Sequence, residues 1–338
     1  MSPRNSSSVR WKRVAAAGAV VALAFAASVV PLPLLYAFLP GPVRDVGRLV
    51  DISDASSYSS EGKFLLTTVS VDTQVTLAEW VAAALDPDKV IVLKSEVAPP
   101  GVTLDELEEQ QRDEMTDSKQ HAQEVALVAL GYDPPTGDGA QVEETIPGKP
   151  ADGRLQPGDV IVSIDGVPVE TTCDVGAGVA RHRVGEKVGI GVRRDGRLQR
   201  FDLATAANPD DPGESFLGVA MSDVGYHFEP GVDVAFETGR IAGPSAGLMF
   251  ALALYDRLTA DDLTAGGSIA GTGTIACDGG IGPIGGVEQK VAGAERQGAG
   301  IFLAPQANAE AARRAADELD VVAVSTFAEA VDYLENLE

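Results

Sequence analysis

The run Gly243-Pro244-Ser245-Ala246-Gly247 fits G-x-S-x-G, a pattern that presents a serine hydroxyl on a tight turn for attack on a carbonyl carbon. Such a hydroxyl becomes a nucleophile only when a neighbouring base takes its proton. The three histidines, His121, His182 and His227, all precede Ser245, so the chain order serine, acid, histidine of the α/β-hydrolases cannot be formed. A lysine can replace histidine if its amine is uncharged. In GPIGGVEQKVAGAERQGA the spacing predicts a helix from Val287 to Gln297. Lys290 borders its apolar face, and Glu288, Gln289, Glu295 and Arg296 turn toward solvent. To work near neutral pH the Lys290 amine must lose its proton at roughly pH 7 or 8 instead of about 10.4, which costs the ammonium form about 4 kcal/mol. Burial beside Val287, Val291 and Ala294 can supply that shift by desolvation; a solvated helix surface cannot.

The turn around Ser245 has its own logic. Pro244 has a φ suited to the first helical position, so SAGLMFALALYDRL starts a buried helix at or beside Ser245. The hydroxyl then sits among helix-start amides at the positive end of the helix dipole, where an oxyanion is stabilised. Gly243, Ala246 and Gly247 are small enough to admit a peptide backbone. Tight helix packing alone also accounts for small residues here, but not for the distant lysine motif.

Taken together, GPSAG, IAGTGTI and GPIGGVEQK, with Ser245 and Lys290 separated by 45 positions, resemble the proteolytic domain of Lon-type peptidases from about Gly231 to the C terminus. The resemblance implies that Ser245 is the nucleophile, that Lys290 is the general base and that Thr272 helps orient the lysine. Gly243, Pro244 and Ala246 are then supporting residues. It also implies a homo-oligomer, because Lon-type domains form rings. The chain departs from the pattern at Ala242, where many such domains carry an acid. No G-x-x-x-x-G-K-[ST] sequence is present, so the expected peptidase is ATP-independent. Gly271-Thr272-Gly273-Thr274-Ile275-Ala276 formally fits a dinucleotide fingerprint, but the following CDGGIG cannot start the required helix. No nucleotide, cofactor or metal is expected, the histidines and Cys173 and Cys277 having no zinc-type spacing. The two cysteines can pair if the chain is exported.

The elements that must hold these residues fall into distinct textures. Residues 139–205 contain Pro150-Ala151, LQPGDVI and Ile164-Asp165-Gly166 in an order that resembles a PDZ domain, with Asp174 to His182 as a short helix. PDZ domains capture extended peptides by strand addition beside a carboxylate-binding loop. Leu130-Gly131-Tyr132 is the candidate loop, although Pro134 and Pro135 cannot donate to an added strand. Residues 103–130, polar and densely charged, read as a solvated connecting helix that gains an apolar face near Val125. Asn208 to Glu214 reads as an interdomain linker, and KFLLTTVSV and KVIVLKSEV as strands that pack onto the catalytic domain.

Val14 to Leu39 carries no formal charge and follows the basic RWKR, which makes it a candidate transmembrane helix with the rest of the chain extracytoplasmic. A signal peptide cleaved after Ala24-Phe25-Ala26 is the competing expectation. Beyond residue 44 there are 21 basic residues against 50 acidic ones, which disfavours nucleic-acid binding. The expected order is a cytoplasmic tail (1–13), transmembrane helix (14–39), linker (40–62), catalytic-domain strands and helices (63–125), PDZ domain (126–206) and Lon-type domain (207–338). The expected fold class is α/β (α+β), with the PDZ domain inserted as a small β-sandwich or barrel with two helices. These features are similar to those of membrane-anchored PDZ-containing Lon-like serine proteases, acting on peptide or protein substrates that are unfolded or exported. The alternative function is a noncatalytic membrane adaptor in which the PDZ groove binds partners and the Lon-like domain serves assembly.

Overall fold

The computed structural model describes residues 18–19, 25, 28–86, 88–97, 101–209, 213–239 and 241–337. Its largest body is built on a five-stranded sheet in the order Arg44–Asp45, Lys63–Leu66, Ser268–Gly271, Ile301–Pro305, Asp320–Val324. All neighbours are parallel except the first pair. Parallel strands must be covered on both faces, and the alternation of side chains shows how. Phe64, Leu66, Ile269, Leu303 and Val324 point to one core, shared with the helices Gly247–Leu258, Leu104–Ala129 and Phe327–Glu335. Leu65, Ala270, Phe302, Ala304 and Val321 point to the other, shared with Val287–Arg296 and Ala309–Ala315.

Several expectations are corrected by this arrangement. The run expected as one strand over Lys63 to Val71 is two: Lys63–Leu66 in the catalytic sheet and Val69–Asp72 in a second, three-stranded sheet. The chain changes sheet at Thr67 and Thr68, whose hydroxyls donate to Gly271 O and Pro42 O and so fix the bend. The second sheet pairs Leu35–Pro40 with Val69–Asp72 on one side and Val90–Leu93 on the other. Part of the apolar run from Val14 lies outside the described residues, but its end at Leu35 to Leu39 is strand rather than membrane helix. Pro31 and Pro33 interrupt any helix upstream, and Tyr36 and Ala37 are buried in the sheet. Among the described residues no helix is long and apolar enough to cross a membrane. The stretch expected as a linker at residues 40–62 contributes Arg44–Asp45 to the catalytic sheet, and Val50–Ser53 pairs with Asp233–Phe236, because Val46 and Val50 complete the apolar core.

The helix Leu104–Ala129 is not merely a solvated connector. Met115, Ser118, Ala122, Val125 and Ala126 recur on one face and are buried against the helix that follows Ser245. Beyond it lies an antiparallel sheet in the order Arg197–Ala204, Lys187–Arg194, Val160–Ile164, Ala140–Thr145, Val219–Asp223, with its own apolar core. One helix, Thr172–Ala180, packs on it, where two were expected; Pro150 to Leu155 forms turns. Ala206–Ala207 and Ser215–Phe216, on either side of the expected linker, pair with each other. The module therefore continues to Asp223, because Leu217 is buried in its core and Val219–Asp223 completes its sheet.

Candidate active site

Ser245 lies in a single 3₁₀ turn, Pro244–Ala246, that leads straight into the buried helix Gly247–Leu258. Each glycine of the motif has a separate physical reason. Gly243 has φ 87°, which an L side chain adopts only with strain. Gly247 has no room for a side chain: a Cβ there would stand 2.5 Å from Ile275 Cγ2 and 2.8 Å from Ser118 Oγ. The turn is braced by the long helix, since Ser118 Oγ donates to Pro244 O (2.9 Å) and Gly243 N donates to Gln111 O (2.9 Å).

Lys290 arrives from the opposite face of the catalytic sheet. Its helix, Val287–Arg296, starts at Gly286 and packs through Val287, Val291 and Ala294. The two helices meet past the C-terminal end of the central strand Ser268–Gly271, where ligands bind in open α/β sheets. Here the Lys290 Nζ atom is 2.9 Å from Ser245 Oγ and 2.9 Å from Thr272 Oγ1. The Thr272 hydroxyl donates to Ser245 O (3.0 Å), and Gly273 N donates to the same oxygen (3.0 Å). With its proton so committed, Thr272 Oγ1 can accept from an amine N–H, which turns the lone pair of an uncharged Nζ toward Ser245 Oγ.

Burial controls the charge of this amine. Lys290 is 4% exposed and Thr272 fully enclosed. Desolvation lowers the Lys290 pKa from its ordinary 10.5 to about 7. Gln289, expected to face solvent, is buried beside Lys290, and its amide nitrogen has no hydrogen-bond partner.

Ser245 and Lys290 open into a cleft of about 860 Å³. Its walls come from the second sheet (Phe38, Val69, Val71), from Thr238, Gly239, Ile241 and Ala242, and from Pro283 to Gly286. Gly243, Pro244 and Ala246 line it as well. Ala242, the position where many Lon-type domains carry an acid, brings no charge to the cleft.

Leu130, Gly131 and Tyr132 stand apart from any free strand edge. Leu130 caps the long helix, Tyr132 N donates to Leu127 O, and both side chains pack against the catalytic core. The outer strands of the module's sheet are Arg197–Ala204 and Val219–Asp223, the latter with the helix Thr172–Ala180 beside it and Thr172 N donating to Asp223 Oδ1.

Sequence reasoning left Cys173 and Cys277 unassigned; they form a disulfide. Cys173 is in the helix of the antiparallel module, and Cys277 is in the turn between Thr274–Ile275 and Ile281–Gly282, five positions after Thr272. Among the described residues, His121, Cys173 and Cys277 form the one group with metal-ligand spacing, but the joined sulfurs offer no thiolate.

Residues 103–205 match the PDZ domain family, and residues 225–335 match the Lon protease (S16) C-terminal proteolytic domain. The chain is similar to a probable periplasmic serine endoprotease DegP-like of Pseudomonas putida (strain GB-1), 36% identical over 32% of this chain and 22% of that protein. It is similar to Lon protease 2 of Bacillus subtilis (strain 168), 31% identical over 34% of this chain and 20% of that one. It is 43% identical to the Lon protease of Roseiflexus castenholzii over 24% of this chain and 10% of that protein. The chain thus spans about a fifth or less of the length of these relatives. It is a mixed α/β chain with a PDZ domain and a Lon-type protease domain, and its relatives support a peptidase.

Proposed function

We propose that the chain is a membrane-anchored serine endopeptidase that hydrolyses peptide bonds of unfolded or exported proteins with a Ser245–Lys290 dyad and without ATP. The observation that carries this reading is the 2.9 Å approach of a buried lysine, its pKa lowered to about 7, to the hydroxyl of a G-x-S-x-G turn. Uncharged Lys290 takes the Ser245 proton as Oγ attacks the substrate carbonyl. The resulting oxyanion is stabilised at the positive end of the Gly247–Leu258 helix. The Lys290 ammonium returns its proton to the leaving amine, which departs with the C-terminal fragment. A water then loses a proton to Lys290 and adds to the acyl-serine, and collapse releases a carboxylic acid and restores Ser245. Thr272 holds the amine in place during both half-reactions.

The uncharged run from Val14 up to the β-bridge at Pro31, behind RWKR, supports a membrane anchor, and the Cys173–Cys277 disulfide favours an oxidising, extracytoplasmic site. The edge of Val219–Asp223, with the helix Thr172–Ala180 beside it, is the better candidate for peptide recruitment by strand addition. Assembly into a homo-oligomer belongs to the same reading. The test uses the full chain with a fluorescently labelled unstructured protein. Ser245→Ala and Lys290→Ala should each lower turnover at least about 10³-fold with an unchanged circular dichroism spectrum. Near-normal turnover by Lys290→Ala would refute the dyad, and acylation of Ser245 by a serine-directed probe would exclude the adaptor.

A further inference from the structure

The helix Leu77–Ala83 is well formed, with a capping box from Thr76 and Glu79, yet it buries none of its residues. Leu77, Trp80 and Val81 are exposed on one face, and Leu85 in the following turn extends the stripe at 86% exposure. Val90 and Leu93 of the adjoining strand are exposed as well. Soluble surfaces carry isolated apolar side chains, but a contiguous stripe that includes a tryptophan marks a contact surface.

The register of the chain says what the contact is. Pro31 forms a β-bridge with Thr76, the residue that caps this helix, and Leu32 N donates to Val75 O (2.7 Å). Leu35 pairs with Leu93. The helix therefore begins level with residues 31 and 32, inside the uncharged run from Val14, and the exposed Leu34 (70%) continues the apolar surface between them. Charge argues the same way: the single acid of the helix, Glu79, is folded back on its own cap, and Asp86 is paired with Lys89 (3.4 Å).

From this placement we infer that the face formed by Leu77, Trp80, Val81 and Leu85 lies in the interfacial layer of the lipid bilayer, as a second contact beside the N-terminal anchor. The inference rests on the membrane anchor of the proposed function. Contact is apolar rather than electrostatic, since the chain beyond residue 44 is strongly acidic and is repelled by anionic headgroups. Trp80 occupies the headgroup level, the depth at which tryptophan concentrates in membrane proteins. The same small sheet supplies Phe38, Val69 and Val71 to the catalytic cleft, and an Arg296–Asp88 ion pair ties it to the Lys290 helix. Docking the helix consequently holds the cleft at a set height above the bilayer.

The test uses the full chain with Trp11→Phe, which leaves Trp80 as the single tryptophan, mixed with phosphatidylcholine vesicles. Flotation with the vesicles reads the anchor, and quenching of Trp80 by a lipid carrying a shallow nitroxide reads the helix. The inference expects flotation, emission reduced about twofold or more by the nitroxide lipid, and quenching that is insensitive to added salt. Adding Leu77→Ser, Val81→Ser and Leu85→Ser should preserve flotation and peptidase activity while abolishing most quenching. Flotation with unquenched Trp80 would overturn the inference and leave the anchor standing. Failure to float would remove the anchor and this inference together. Protection of Trp80 without quenching, with cross-linking between subunits through Val81→Cys, would assign the face to a second copy and also overturn it.

Discussion

At the scale of single residues, the chemistry depends on the price of enclosing Lys290. Its pKa falls to about 7 in the folded chain but stays near its ordinary 10.5 when unfolded. Above about pH 10.5 both states hold a neutral amine and enclosure costs nothing; the cost grows as pH falls toward 7 and is fully present below it. At neutral pH that amounts to something on the order of 4 kcal/mol, so Lys290→Met should abolish turnover yet raise the melting temperature at pH 6 to 7, an advantage that shrinks as pH approaches 10. Calorimetry across that range checks it, and an equally stable variant at pH 7 would mean that the amine is not desolvated. Turnover by the unaltered chain should rise as pH climbs through about 7, because only the uncharged amine accepts the Ser245 proton. The meeting of Ser245 and Lys290 was legible in the sequence from the turn motif and the border position on a helix. The burial of Gln289 was not, since periodicity on one helix says nothing of the other elements packed against it, here the strand Leu35–Pro40 and the helix Ala309–Ala315.

At the scale of elements, Ser245 and Lys290 are brought together by two helices on opposite faces of one sheet, each delivered past the same strand end. Sequence patterning located both helices and the strand Ile301–Pro305, because a period of 3.6 or 2 follows directly from burial on one face. It misjudged the long helix, because the polar Ser118 interrupts its apolar face although that residue is buried and packs closely against Gly247. It also left Val219–Asp223 outside the antiparallel module, although that strand pairs with Ala140–Thr145. The close approach at Gly247 carries its own prediction. Gly247→Ala must push Ile275 or Ser118 aside and should destabilise the chain by about 1–3 kcal/mol, measured by denaturant unfolding. Ser118→Ala in addition should recover part of the loss, because it removes one of the two colliding atoms.

At the scale of the whole molecule, the protease and PDZ domains share a cysteine pair as well as a polypeptide. The pair closes a segment that contains Ser245 but leaves Lys290 outside, so the nucleophile and its base stand on different sides of a covalent loop. A peptidase with an exposed loop at Gly213 and Glu214 is at risk of nicking itself there. One cut would leave Cys173 on the first fragment and Cys277 on the second, still fastened through sulfur. Limited digestion should yield a single band on a gel run without thiol and two bands with it. A nicked chain would then keep its antiparallel module attached until a reductant released it, so its effective working life would be set by local thiol supply rather than by damage to the chain.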